Sequence, residues 1–161
     1  MAYTISTTGM KELEAKLRLA GNAAQGVAAA SLYEGAGVMA DAVSRAVHGI
    51  ATSPFKYARN GEKRKPSPEE KALLESASKG VAKFHKNGVS VDTSVGLANS
   101  GYGQLGSETK PIPVIANAIN SGTSFMDKQP FFRKAVSQTK SAAIGTIDAG
   151  IQKRIENILN D

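Results

Sequence analysis

The sequence predicts an α+β protein: long N-terminal and C-terminal helices packed on a small, mostly antiparallel sheet, with an inserted loop and helix. Three patterns carry that expectation. From about Phe131 to Leu159, Phe132, Val136, Ala143, Ile144, Ile147, Ile151, Ile155 and Ile158 recur at helical spacing among polar residues, which predicts one long final helix. From about Ala23 to Val47 an alanine-rich stretch places Val27, Ala30, Glu34, Val38, Ala42 and Arg45 along one side, with Leu32, Met39, Val43 and Val47 on the neighbouring stripe. Val89, Val91, Thr93, Val95 and Leu97 alternate with Ser90, Asp92, Ser94 and Gly96, the period of a strand with one buried face.

The remaining elements follow from caps and breakers. Tyr3, Ile5 and Thr7 alternate as in a short first strand. Thr8 can cap a helix whose Met10, Leu13 and Leu17 share a face, and Gly21-Asn22 reads as its stop or a kink. Small residues in Ala23–Val47, among them Gly26, Gly35 and Gly37, allow close approach of another helix, either the last helix or a second copy. Ser53-Pro54, Asn60-Gly61 and Lys65-Pro66 are turn signals, so His48 to Pro66 reads as a long exposed loop. Ser67-Pro68-Glu69-Glu70 is a capping box with proline at the first helical position. The helix it opens carries Leu73, Leu74, Ala77 and Val81 on one face and is expected to end near Asn87-Gly88. Asn99 to Lys110 reads as a Gly/Ser-rich loop, and Val114–Ile119 suits one or two helical turns, with a strand as the alternative.

Composition narrows the function. The chain has 161 residues, one domain's worth, and 41% of them are hydrophobic, enough for one core. There is no cysteine, hence no disulfide framework, thiolate metal site or cysteine nucleophile, which fits a reducing compartment. No apolar run long enough for a transmembrane helix occurs, and Met1–Ser6 lacks the basic and apolar regions of a secretory signal. Net charge is +6, and it is concentrated: Gly49 to Ser90 holds nine Lys/Arg against four acids. Such a segment points to an anionic partner, nucleic acid or acidic protein. We therefore read residues 1–161 as one domain with a basic insert at about 49–88, whose Lys56, Arg59, Lys63, Arg64 and Lys65 face that partner.

Chemistry-bearing patterns are few. Gly101-Tyr102-Gly103-Gln104-Leu105-Gly106 matches the dinucleotide fingerprint literally. The fingerprint works only if a helix opens on those glycines, and Pro111 and Pro113 interrupt here, so a plain loop is expected. His48 and His85 are the only histidines, and no carboxylates cluster at metal-ligand spacing. Glu69-Glu70 serve the helix start rather than acid–base work. No catalytic residue, metal or cofactor is expected, and the protein is not read as an enzyme.

Asn120-Ser121-Gly122-Thr123-Ser124-Phe125-Met126-Asp127-Lys128-Gln129-Pro130-Phe131-Phe132-Arg133-Lys134-Ala135-Val136 resembles the signature of the neck and tail-completion proteins of tailed bacteriophages: a short apolar segment, then Gly-Thr-Ser, then Pro-Phe and Arg opening a long last helix. Thr93-Ser94-Val95-Gly96 is similar to the family's central strand. The match covers about Ile115–Val136 and is architectural over Met1–Val47. The chain departs from the family pattern in having Asn120-Ser121 before its Gly-Thr and the insert Gly49–Gly88 after its second helix. The resemblance implies a structural virion protein of the head–tail junction, made in the host bacterial cytoplasm. It would form a ring around the DNA channel, a hexamer by default or a dodecamer. Its neighbours would be the connector or head-closure ring and the tail terminator or tail tube, with double-stranded DNA passing without sequence-specific contact. Gly122, Thr123, Pro130, Phe131, Phe132 and Arg133 carry the motif: Gly122 for a tight turn, Pro130 for the helix start, Phe131 and Phe132 as anchors, Arg133 to pair with an acid or a carbonyl. The alternative reading, from charge alone, is a basic nucleic-acid-binding accessory protein.

Overall fold

The computed structural model describes residues 8–54, 62–77, 83–86, 91–97 and 101–160. Its elements in chain order are α1 (Thr8–His48), α2 (Pro68–Ala77), β1 (Lys83–Lys86), β2 (Val91–Ser94), β3 (Tyr102–Leu105), β4 (Glu108–Pro111), α3 (Ile112–Ser121) and α4 (Phe131–Asn160). This is the expected α+β class with long helices at both ends. The strand expected at Tyr3–Thr7 lies outside the described residues.

α1 is one helix of 41 residues, about 60 Å at 1.5 Å per residue, and does not stop at Gly21-Asn22. A glycine inside a helix costs about 1 kcal/mol, and the Ala- and Leu-rich flanks, free of proline, outweigh it. α4 runs antiparallel along α1, so the last helix packs on α1's small-residue face. The contact depends on glycine. A Cβ on Gly35 would collide with the Ile147 side chain and lie 2.9 Å from the Ala143 carbonyl oxygen. One turn further, buried Gly150 leaves room for Arg154 to reach Glu34. Arg154 Nη1 also donates to Ser31 Oγ at 3.2 Å and to the Gly150 carbonyl at 3.0 Å, so a charge at the seam is fully satisfied.

The core sits at one end of this helix pair. Val43 and Val47 from the end of α1, Ile50 just after it, Leu74 and Ala77 from α2, Ile112, Ile115 and Ile119 from α3, and Phe131 and Ala135 from α4 close on one another. The α3 stretch, open between helix and strand in the sequence, is helical with its apolar positions three and four apart.

Three sequence expectations are corrected. Lys83–Lys86 pairs as a strand with Val91–Ser94, where a helix running to Asn87-Gly88 was expected. The apolar spacing that suggested a helix there is overridden by a partner strand eight residues on, which supplies hydrogen bonds local pattern does not reveal. The expected loop Asn99–Lys110 contains a hairpin: β3 and β4 pair from Tyr102↔Pro111 to Leu105↔Glu108 around a two-residue turn whose Gly106 has φ 61°. Among the described residues the strands form two two-stranded sheets rather than one.

The helix contact is testable by paired substitutions. Gly35→Val is expected to destabilise by about 1–3 kcal/mol through overpacking. Gly37→Ala, where a Cβ meets nothing within 4 Å, is expected to stabilise by about 0.5–1 kcal/mol. Thermal melts of the two variants check both signs.

Candidate partner-binding site at the motif turn

The residues that carry the resemblance form one hydrogen-bonded unit between α3 and α4. Gly122 caps α3: its N–H donates to the Ala118 carbonyl at 2.9 Å and its φ is 77°, the left-handed region that glycine enters without cost. A Cβ there would lie within 3.2 Å of the Lys128 backbone. Thr123 holds the next turn. Its hydroxyl accepts the Phe125 and Met126 N–H groups at 3.3 and 3.0 Å, and its own N–H donates to the Met126 carbonyl at 3.0 Å. The turn drives Met126 into the core, 2% exposed, and leaves Phe125 outside, 54% exposed.

The start of α4 is fixed by residues the sequence reading did not single out. Asn120 Oδ1 accepts the Phe132 N–H at 3.2 Å, capping the helix from the end of α3. The Gln129 N–H donates to the Ile119 carbonyl at 2.8 Å. The Gln129 side-chain amide pairs with both backbone groups of Ala51, at 2.9 and 2.8 Å, as a strand would. Phe131 is the buried anchor, and Phe132 is half-buried in a cleft with Leu97, Pro113 and Asn117. Pro130 stands exposed immediately before the helix, and its carbonyl accepts the Lys134 N–H. Arg133 is exposed at the start of α4. Nothing in a Gly-Thr-Ser-to-Pro-Phe signature marks Asn120 or Gln129. An amide at each helix boundary is the only clue, and amides are common there.

The basic segment divides. Lys56 and Arg59 lie outside the described residues. Lys63 and Lys65 are exposed, as expected of a partner-facing pair. Arg64 between them is turned inward, which removes it from that set. Its backbone bridges in parallel to the motif turn: the Arg64 N–H donates to the Phe125 carbonyl at 2.9 Å, and the Asp127 N–H to the Arg64 carbonyl at 2.8 Å. Its guanidinium meets Glu70 in a two-pronged ion pair, both contacts 2.7 Å, with side chains 13% and 12% exposed. Glu70 Oε2 also accepts the Ser67 N–H at 2.8 Å, and Ser67 Oγ accepts the Glu70 N–H at 3.2 Å, the capping box read from the sequence. The described ends of the segment read from the sequence as a long exposed loop therefore pack on the core. Ile50 and Pro66 are buried, and the Ser53 N–H donates to the Pro66 carbonyl at 2.9 Å, closing the loop at its base.

Burial pushes the Glu70 carboxyl up, but the hydrogen bonds from Arg64 and the Ser67 amide, with the Arg64 charge, more than offset it and hold it below the usual carboxylate value. Arg64 is raised correspondingly by its hydrogen bond to Glu70. Away from the turn, Glu75 is lowered chiefly by its hydrogen bond to His48, Nδ1 to Oε1 3.0 Å, which ties the end of α1 to α2. The Gly101–Gly106 fingerprint is a hairpin on which no helix opens, so it lacks the amide cradle for a pyrophosphate. Among the described residues no group of His, Asp or Glu is placed to hold a metal ion, and no helix is long and apolar enough to cross a membrane. What the turn offers is an exposed aromatic side chain, Phe125, on a hydrogen-bonded base, with exposed lysines at 63, 65 and 128 on the same two segments.

Arg64→Ala is expected to cost about 3 kcal/mol, because it leaves the Glu70 carboxylate buried and unpaired. The pH dependence has a defined sign. The folded-state value of Glu70 is depressed, so its contribution is present above the unfolded-state value and lost as pH falls through the folded one. Glu70→Gln should therefore lower the melting temperature at neutral pH and flatten its decline on acidification, measured by melts across the acid range. Scans against family models, curated proteins and solved structures returned no match to this chain.

Proposed function

We propose that the protein is a structural component of the head–tail junction of a tailed bacteriophage, a neck or tail-completion protein that assembles as a ring around the DNA channel. The reading rests on the resemblance of Ile115–Val136 to that family. It is supported by one observation: this segment folds as a single hydrogen-bonded unit in which Gly122, Thr123 and Phe131, three residues of the motif, each have a defined structural task. The described surface also fits assembly. Tyr102, Val114, Phe125 and Ile144 are large apolar side chains left exposed, Tyr102 at 73% and Val114 at 62%. In this role the protein acts by contact, with copies joined to one another and exposed turns reaching adjacent rings. A hexamer is the favoured ring and a dodecamer the alternative.

Peptide mass spectrometry of purified particles from a lysate of the virus encoding this chain tests the reading. The protein is expected in intact virions at about six or twelve copies per particle, and particles lacking it are expected to accumulate as unjoined heads and tails. Its absence from infectious virions would overturn the proposal.

A further inference from the structure

A cleft opens where the end of α1 meets the start of α4. Its volume is about 490 Å³, within the range of ligand-binding clefts. Ala46 and Ile50 from the α1 side and Phe131 and Ala135 from α4 give it an apolar floor, and Ile50, Phe131 and Ala135 belong to the buried core beneath. Its rim carries the exposed Lys128, Lys134 and Gln138, and among the described residues no carboxylate lines it. The cleft is thus apolar within and cationic at its edge.

The backbone that bears the two lysines is fixed. Lys128 lies against Gly122, its backbone within 3.2 Å of where a Cβ would stand, and the next residue, Gln129, donates its N–H to the Ile119 carbonyl at 2.8 Å. In the first turn of α4 the Lys134 N–H is bonded to the Pro130 carbonyl at 3.1 Å. Other polar groups at the cleft are occupied within the molecule. The Gln129 side-chain amide is bound to Ala51, and the Arg45 and Val47 carbonyls at the end of α1 accept the Gly49 and Ile50 N–H groups. A ligand therefore meets two ammonium groups and the Gln138 amide above an apolar surface, on a backbone already ordered before it arrives.

We infer that this cleft receives an acidic segment of a partner protein, with one apolar side chain on the floor and carboxylates to either side of it against Lys128 and Lys134. Each feature argues against a simpler occupant. Duplex DNA would meet the lysines through its phosphates and leave the floor uncovered, because its backbone brings nothing apolar to place there. A fatty acid would cover the floor but brings one carboxylate to two cations. A leucine-sized side chain between aspartates or glutamates answers both the floor and the rim. Its burial supplies affinity, and the charge pairs supply selection among partners. The inference does not rest on the neck reading, and its surface is distinct from the exposed Phe125.

The probe is a fluorescein-labelled peptide with a central leucine between pairs of aspartates, titrated with the full chain and followed by anisotropy. Saturable binding is expected, with the methyl resonances of Ala46, Ile50 and Ala135 shifting in step. Serine in place of the peptide's leucine is expected to weaken binding by about tenfold or more. Lys128→Glu combined with Lys134→Glu in the protein is expected to weaken it by about as much. Lys140→Glu combined with Lys153→Glu makes the same change of net charge on α4 outside the cleft, and is expected to have little effect. Melts of both double variants check that they fold, and the serine peptide and the methyl shifts are read on the parent chain. Absence of binding, equal affinity for the serine peptide, or equal weakening by the two double variants would each overturn the inference. Displacement of the peptide by a short DNA duplex that produces the same methyl shifts would overturn it in favour of nucleic acid. None of these outcomes bears on the presence of the protein in virions, so the two readings fail separately.

Discussion

The ion pair between Arg64 and Glu70 is the constraint on which the functional end of the molecule depends. It joins three pieces of chain: the start of α2, the base of the insert and the motif turn. Glu70 belongs to α2 and closes its capping box; Arg64 belongs to the base of the insert and bridges the motif turn. Through those few atoms the direction of α2, the closure of the insert and the display of Phe125 become one problem with one solution. A pair this desolvated is costly to bury and contributes little net stability over an apolar substitute. What it contributes here is geometry. The planar guanidinium accepts only one approach of the carboxylate, and that approach fixes the Arg64 backbone against Phe125 and Asp127.

A second contact of the same kind acts along the helix pair. Arg154 reaches across the seam to Glu34 and Ser31 because glycines at 35 and 150 let α1 and α4 approach. Arg154 holds Glu34 below its usual value, first through the hydrogen bond and then through charge. One arginine thus sets the register of the long helices and another the shape of the turn at their end.

Much of this was legible in the sequence. The final helix was readable from isoleucines at helical spacing, the α2 start from Ser67-Pro68-Glu69-Glu70, and the turn at Gly122 from the need for positive φ. The rest failed for identifiable reasons. Gly21-Asn22 looked like a stop because local propensity does not weigh a strong helix on both sides. Lys83–Lys86 looked helical because its strand partner is non-local. The hairpin at Tyr102–Pro111 was hidden by glycines and serines that read as loop, although Gly106-Ser107 is a turn signal. At the site, Arg64 was grouped with its basic neighbours, since charge counting cannot tell an inward arginine from an outward lysine. Alternation along an extended segment, with Glu70 six residues on, is the signal that separates them.

Native-state hydrogen exchange gives the most direct test that the Arg64–Glu70 pair organises the head. In the parent chain the amide hydrogens of Arg64 and Asp127, which close the bridge, are expected to be protected together. In Glu70→Gln both are expected to lose protection in step, with that of Met126, while amides in the middle of α1 and α4 keep theirs. Unchanged protection at Arg64 and Asp127 in that variant would contradict the account and leave the turn held by its own hydrogen bonds.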